Sequence, residues 1–228
     1  CGTEDAIRLG HEFGGSAGNI ENFCRDHGID AEFRRDGWIW GATCQRQVGS
    51  WNGILAAHAR HDIRAFQPLT GAEIAERIGS RSFLAGIYDP TAATLHPGKW
   101  VRGLRRVALK LGVRIYENSP MTRLERRSPP IVRTAKGSVT AARVVLTMNA
   151  WSLGLPELRG AILVIASDDA VTEPAPELLD KVGYKAKPLI GDSQTFVTGF
   201  RTTGNHRLNP GVSGGIIGFG TMRGQRFE

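Results

Sequence analysis

Three apolar segments in a fixed order constrain the fold more than any other feature of this chain. Val101, Leu104, Val107, Ala108 and Leu111 recur at helical spacing. Pro97 suits the first turn of that helix and Gly112 its end. Val113-Arg114-Ile115-Tyr116 follows at once as a short predicted strand. Strands at 121–125 and 131–134 then flank Ser128-Pro129-Pro130, and Gly137 turns the chain into 139–141. The continuous run Val144-Val145-Leu146-Thr147 reads as a buried strand, which passes through Met148-Asn149-Ala150 to Trp151. A helix feeding a strand, a hairpin arm and a buried strand together call for a mixed α/β architecture.

Outside this block the pattern is more irregular. Residues 4–27 read as a helix anchored by Ile7, Phe13, Ile20 and Phe23, with Gly14, Gly15 and Gly18 weakening its middle. Alternation at 31–34 and 38–40 suggests two strands joined by a turn at Asp36-Gly37. A helix is expected over 45–61. Thr70-Gly71-Ala72-Glu73 is a capping box that opens another, to about Ile78. Strands are expected at 83–88, 161–166 and 195–202, with a weak helix from Pro174 and Pro176 to about Val182. The predicted fold class is α/β (α+β), a partial Rossmann-like region interleaved with an antiparallel-sheet domain. Residues 1–94 and 156–228 are expected to form the two parts of the sheet domain, and 95–155 the Rossmann-like part.

Composition removes several functions. The 228 residues include 41% hydrophobic side chains, enough for a core, and no apolar run approaches a membrane span of about 20 residues. The net charge of +7 is spread over arginine pairs at 34–35, 105–106 and 126–127. That pattern argues against nucleic-acid binding, which calls for a clustered basic stripe and a recognisable motif. An anionic cofactor or acidic substrate still fits it. Three cysteines without metal spacing argue against a disulfide framework and favour the cytoplasm. A lipid-anchored binder beginning at Cys1 remains a further alternative. His58 and His61 lack a third metal ligand, and no nucleophile triad is evident.

Four or five segments together resemble the D-amino-acid oxidase superfamily of FAD-dependent oxidoreductases, within it the enzymes that act on glycine, sarcosine or gamma-glutamylputrescine. They are Phe33-Arg34-Arg35-Asp36-Gly37-Trp38-Ile39-Trp40, Leu69-Thr70-Gly71-Ala72-Glu73-Ile74, Ala93-Thr94-Leu95-His96-Pro97-Gly98-Lys99, the run from Thr147 to Trp151, and Phe200-Arg201-Thr202-Thr203-Gly204-Asn205-His206-Arg207. The resemblance implies oxidation of a small-molecule amine or amino acid, with hydride transfer to flavin and an imine product. It also implies contact of FAD with the backbone of Met121 and with Thr147, Met148, Asn149, Ala150 and Trp151. Asn149 stands where many relatives have Gly, and Asn tolerates the left-handed conformation such a turn needs. Arg201 and Arg207 become candidates for a substrate carboxylate, which a guanidinium binds in bidentate fashion; a turn-stabilising role for Arg207 is the competing reading. His96, ahead of Pro97, fits a cap better than a general base. The family's Gly-x-Gly-x-x-Gly loop has no counterpart before Ile7. The resemblance therefore implies a chain cut from a longer one at both ends. The alternative is a non-catalytic fragment or small-molecule-binding module.

Overall fold

The computed structural model describes residues 2–63, 66–165, 168–184, 187–194, 198–212 and 217–218. In chain order its elements are α1 (Thr3–Asp26), β1 (Trp38–Ala42), a 3-10 turn (Gln45–Gln47), α2 (Asn52–Arg60), β2 (Gln67–Thr70), α3 (Gly71–Ile78), β3 (Ala85–Asp89) and α4 (Pro97–Lys110). There follow β4 (Met121–Glu125), β5 (Ile131–Thr134), β6 (Gly137–Thr140), a second 3-10 segment (Asn149–Gly154), β7 (Val164–Ile165) and β8 (Asp168–Asp169). The last are α5 (Pro176–Lys181), β9 (Leu189–Asp192), β10 (Thr198–Thr202), β11 (Leu208–Val212) and β12 (Ile217–Gly218). The chain divides into two compact units, Cys1–Val107 with Ser167–Gly215, and Ala108–Ala166 with Ile216–Glu228.

The first unit is built on a seven-stranded sheet in the order β2-β3-β1-β9-β10-β11-β8. Its β1–β9 pair is parallel and the other pairs are antiparallel. Alternation along β1 sorts its side chains to two faces. Ile39 joins Leu69, Ile74, Ile78, Phe83, Leu179, Tyr184 and Ile190 in a core that includes α3 and α5. Trp40 packs instead with Trp51, Leu55, Phe66 and Ile87 beside α2. Ile39, Ile74, Ile87 and Ile190 are wholly buried, and each contributes about 1.5–3 kcal/mol of transfer free energy. A third cluster seats α1 and α4 through Ile20, Phe23, Cys24, Ile29, Trp100 and Val107. The capping box forms as expected: Glu73 N–H donates to Thr70 Oγ1, and Thr70 N–H donates to the Glu73 carboxylate at 2.7 Å.

The second unit carries the antiparallel sheet β4-β5-β6 and the short pair β7–β12.

Four expectations change. The hairpin around Asp36-Gly37 does not form, because Arg34 exchanges backbone hydrogen bonds with Thr94, while β1 pairs with β3 and β9. The helix expected over 45–61 begins only at Asn52, since Gly49 turns into the left-handed region after the 3-10 turn. Residues 113–116 and 144–147 are not strands. Nor is the second segment buried, with Val145 82% exposed. A strand exists through its ladder partners, and among the described residues neither segment has one. Expectations that fall on 166–167, 195–197, 213–216 and 219–228 lie outside the described residues.

Candidate functional site

The second unit brings together three residues that sequence reading placed at the cofactor. Met121, Met148 and Trp151 line one cleft of about 480 Å³, with Pro120, Thr122, Arg123, Leu124, Gly154 and Leu155. This volume lies in the range of small-ligand sites. β4 is an edge strand of its sheet among the described residues, so one side of its backbone is not taken by β5. Trp151 and Gly154 of the 3-10 segment also line it, and that segment begins at Asn149 with φ +49°. Asn is among the few residues that adopt this left-handed conformation readily. Thr147, Asn149 and Ala150 adjoin Met148 and Trp151 in sequence but do not line the cleft.

In the first unit a smaller polar cleft of about 140 Å³ is lined by residues that include Glu32, Arg34, Thr94, His96, Arg201 and Asn209. Arg201 lies on β10, its Nε donating to Asn209 Oδ1 at 3.1 Å and its guanidinium to Leu95 O at 3.2 Å. Both acceptors are neutral. Among the described residues no carboxylate pairs with this half-buried cation, an arrangement that favours an anionic ligand. Arg207 has a different setting. It donates to Thr172 O at 2.9 Å and lies 3.5 Å from the Glu173 carboxylate, tying the β10–β11 hairpin to the segment before α5. His96 Nδ1 accepts from Lys99 N–H at 3.3 Å, a helix-capping contact at the start of α4.

Sequence reading singled out neither Glu32 nor Arg34 for this cleft. Arg34 Nε lies 3.1 Å from Asp36 Oδ2, and its terminal nitrogens donate to Thr202 O and Thr203 O. Two arginines in a row are a common surface pattern, and only the distant carbonyls distinguish this one. Glu32 has a positive φ of 51°, and its carboxylate pairs with Lys99 Nζ at 2.7 Å. That hydrogen bond from Lys99 holds the Glu32 carboxyl below its ordinary range against partial desolvation. The Glu32 N–H, followed by Lys99, does the same for Asp30. Lys99 is raised in turn, chiefly by its hydrogen bond to Glu32.

A folded carboxyl with a lowered pKa stabilises above its unfolded value, about 4.3 for Glu, and the contribution is lost as pH falls through the folded value. The raised Lys99 keeps its contribution until pH passes its own folded value. Lys99→Gln is therefore expected to lower the midpoint of thermal unfolding near neutral pH. The gap from wild type should close in acid; a gap that persisted into strong acid would assign the effect to packing of the lysine stem.

The fold of this chain is shared with solved oxidase and dehydrogenase structures. It superposes on glycine oxidase from Geobacillus kaustophilus with a TM-score of 0.69, 18% identity, and coverage of 91% of this chain and 54% of that one. For L-proline dehydrogenase from P. horikoshii the TM-score is 0.73, with 16% identity over 88% of this chain and 54% of the other. Residues 6–223 match the family model described as FAD dependent oxidoreductase, and the chain belongs to that family. Gamma-glutamylputrescine oxidoreductase of Escherichia coli is 25% identical over 219 residues, which cover 95% of this chain and 50% of the relative. A probable oxidoreductase, OrdL, of Haemophilus influenzae is 25% identical over 158 residues, covering 67% of this chain and 37% of its own length. The chain thus spans half or less of the length of these relatives. No described helix is long and apolar enough to cross a membrane.

Proposed function

We propose that this chain takes part in the FAD-dependent oxidation of a small amine or amino acid, and that Arg201 holds the substrate carboxylate. Family membership supports the reaction class. The observation that carries the substrate assignment is the half-buried Arg201 guanidinium in a small polar cleft, whose hydrogen-bond acceptors among the described residues are all neutral.

The residues present fit one end of FAD. Met121, Met148 and Trp151 share a cleft of suitable size, with Met121 on an edge strand whose backbone can meet a heterocycle. No Gly-x-Gly-x-x-Gly sequence occurs in the chain, so the fit is to the adenine side. When bound, FAD supplies the redox chemistry, and the protein supplies orientation and electrostatics. Arg201 orients the substrate through its carboxylate, and the hydrogen bonds it donates to Asn209 Oδ1 and Leu95 O fix the guanidinium plane. Arg207 is assigned to holding the hairpin. The cysteine content supports a cytoplasmic place of action.

The test is direct. Purified chain supplied with FAD is expected to show a flavin absorbance band and a raised unfolding midpoint. Glycine should bind more tightly than methylamine. Arg201→Gln should weaken glycine by roughly 10–100-fold, in line with a charge-assisted hydrogen bond, and leave methylamine unchanged. A colourless sample that FAD does not stabilise would remove the flavin reading and leave a carboxylate-binding module. Glycine binding indifferent to Arg201→Gln would remove the substrate assignment.

A further inference from the structure

We infer that Glu32 is a specificity-determining residue whose carboxylate receives an ammonium group of the molecule that Arg201 holds, an inference that rests on the Arg201 reading above. Glu32 and Arg201 line the same small polar cleft of the first unit. Arg201 brings to it a positive charge that no carboxylate among the described residues balances, since its acceptors are Asn209 Oδ1 and Leu95 O. The other arginine of the lining, Arg34, is balanced by Asp36 at 3.1 Å.

Glu32 brings the opposite charge. Lys99 Nζ lies 2.7 Å from its Oε1 but also 3.4 Å from Asp30 Oδ2, so one cation serves two carboxylates and a net negative charge remains. The other oxygen, Oε2, faces the turn between β10 and β11. A Cβ on Gly204 would lie 2.6 Å from it, and glycine at that turn leaves the carboxylate room. Glu32 stands at φ 51°, uncommon for glutamate, with its N–H donating to Asp30 Oδ1 at 3.2 Å. A cleft with one uncompensated charge of each sign suits a dipolar molecule better than a simple acid or a simple amine. An amine beside a carboxylate is kept protonated, and a protonated nitrogen has no lone pair to assist loss of hydride from its carbon. The nitrogen on Glu32 is therefore not the one that is oxidised. The substrate class is a diamino acid, with a carboxylate for Arg201, an ammonium for Glu32 and a separate amine for the reaction.

Calorimetric titration of the full chain with racemic ornithine and lysine tests this. Each is set against the amino acid of equal carbon number that lacks the terminal nitrogen, norvaline for ornithine and norleucine for lysine. At least one diamino acid is expected to bind about tenfold more tightly than its partner at low salt, in line with a partly screened charge-assisted hydrogen bond. Sodium chloride should narrow the gap. Glu32→Gln should abolish the preference while norvaline and norleucine bind as to wild type, which also shows that the variant cleft is intact. Lys99→Gln removes the competing cation and should widen the preference even though it lowers the unfolding midpoint; a merely structural role of the Glu32–Lys99 pair would narrow it. Equal affinity within both pairs would overturn the inference, as would a preference that survives Glu32→Gln or narrows in Lys99→Gln. Arg201→Gln tells the two readings apart. If it weakens norvaline while wild type shows no preference for either diamino acid, the carboxylate site stands and the role of Glu32 falls. If norvaline and norleucine bind to Arg201→Gln as to wild type, the Arg201 reading falls, and that of Glu32 with it.

Discussion

Replacement of Gly79 by Ala is expected to destabilise the first unit by roughly 2–5 kcal/mol, a left-handed backbone penalty plus a steric overlap. Gly79 ends α3 at φ 72°, where its N–H donates to Ala75 O at 2.8 Å. Its backbone also abuts the end of α5. A Cβ at this position would lie 1.5 Å from Val182 O and 2.6 Å from Val182 C, backbone atoms that cannot rotate aside. Relief requires α3 and α5 to move apart, which opens the core of Ile74, Ile78, Leu179 and Tyr184. The matched control is Gly14→Ala on α1, where a Cβ meets nothing within 4 Å. That substitution should stabilise by up to about 1 kcal/mol, because glycine is a poor helix former. Denaturant unfolding followed by circular dichroism reads both. A Gly79→Ala loss as small as the effect at Gly14 would mean that the two helix ends are not held together.

Arg34→Met is expected to cost about 2–4 kcal/mol, somewhat less than the 3–5 kcal/mol typical of breaking a fully buried pair. Arg34 and Asp36 are 23% and 24% exposed, so solvent screens part of the interaction. Asp36 Oδ2 is itself buried, with no hydrogen-bond partner, so the Arg34 charge at 3.1 Å is what compensates it. The same substitution leaves Thr202 O and Thr203 O without their donor and frees the β10–β11 hairpin that carries Arg201. Adding Asp36→Asn to Arg34→Met should recover part of the loss by removing the stranded charge. Unfolding midpoints of the two single variants and the double form the cycle that measures it. A double variant no more stable than Arg34→Met alone would show that the carbonyl bonds, and not the ion pair, account for the cost. Glycine affinity should fall in parallel if the hairpin positions Arg201.

Local signals were legible where local chemistry decides the outcome. The Thr70 capping box, the start of α4 at Pro97 and the span of α1 all lie where the residues place them, because caps, proline and apolar spacing act within a few residues. The candidate site was legible in part. Met121, Met148 and Trp151 were marked by resemblance, and they share a cleft although 30 residues of chain separate the first from the last. Arg34 was hidden in an arginine pair, since its acceptors at 202 and 203 lie far along the chain.

By itself the sequence determined the helices and their ends apart from the start of α2, the arm of β4, β5 and β6, and the family to which the order of segments points. These depend on propensity, capping and short-range turns, whose energies are settled between neighbours. Only the tertiary structure decided which extended segments became strands. Residues 113–116 and 144–147 have the apolar composition of strands, yet have no ladder partner among the described residues, whereas β9 takes its place beside β1, about 150 residues away, through a parallel pairing. Pairing energy belongs to two segments at once, so neither segment's own residues can specify it. The same reason placed Arg201 between Asn209 and Leu95, and with it the cation on which the proposed function rests.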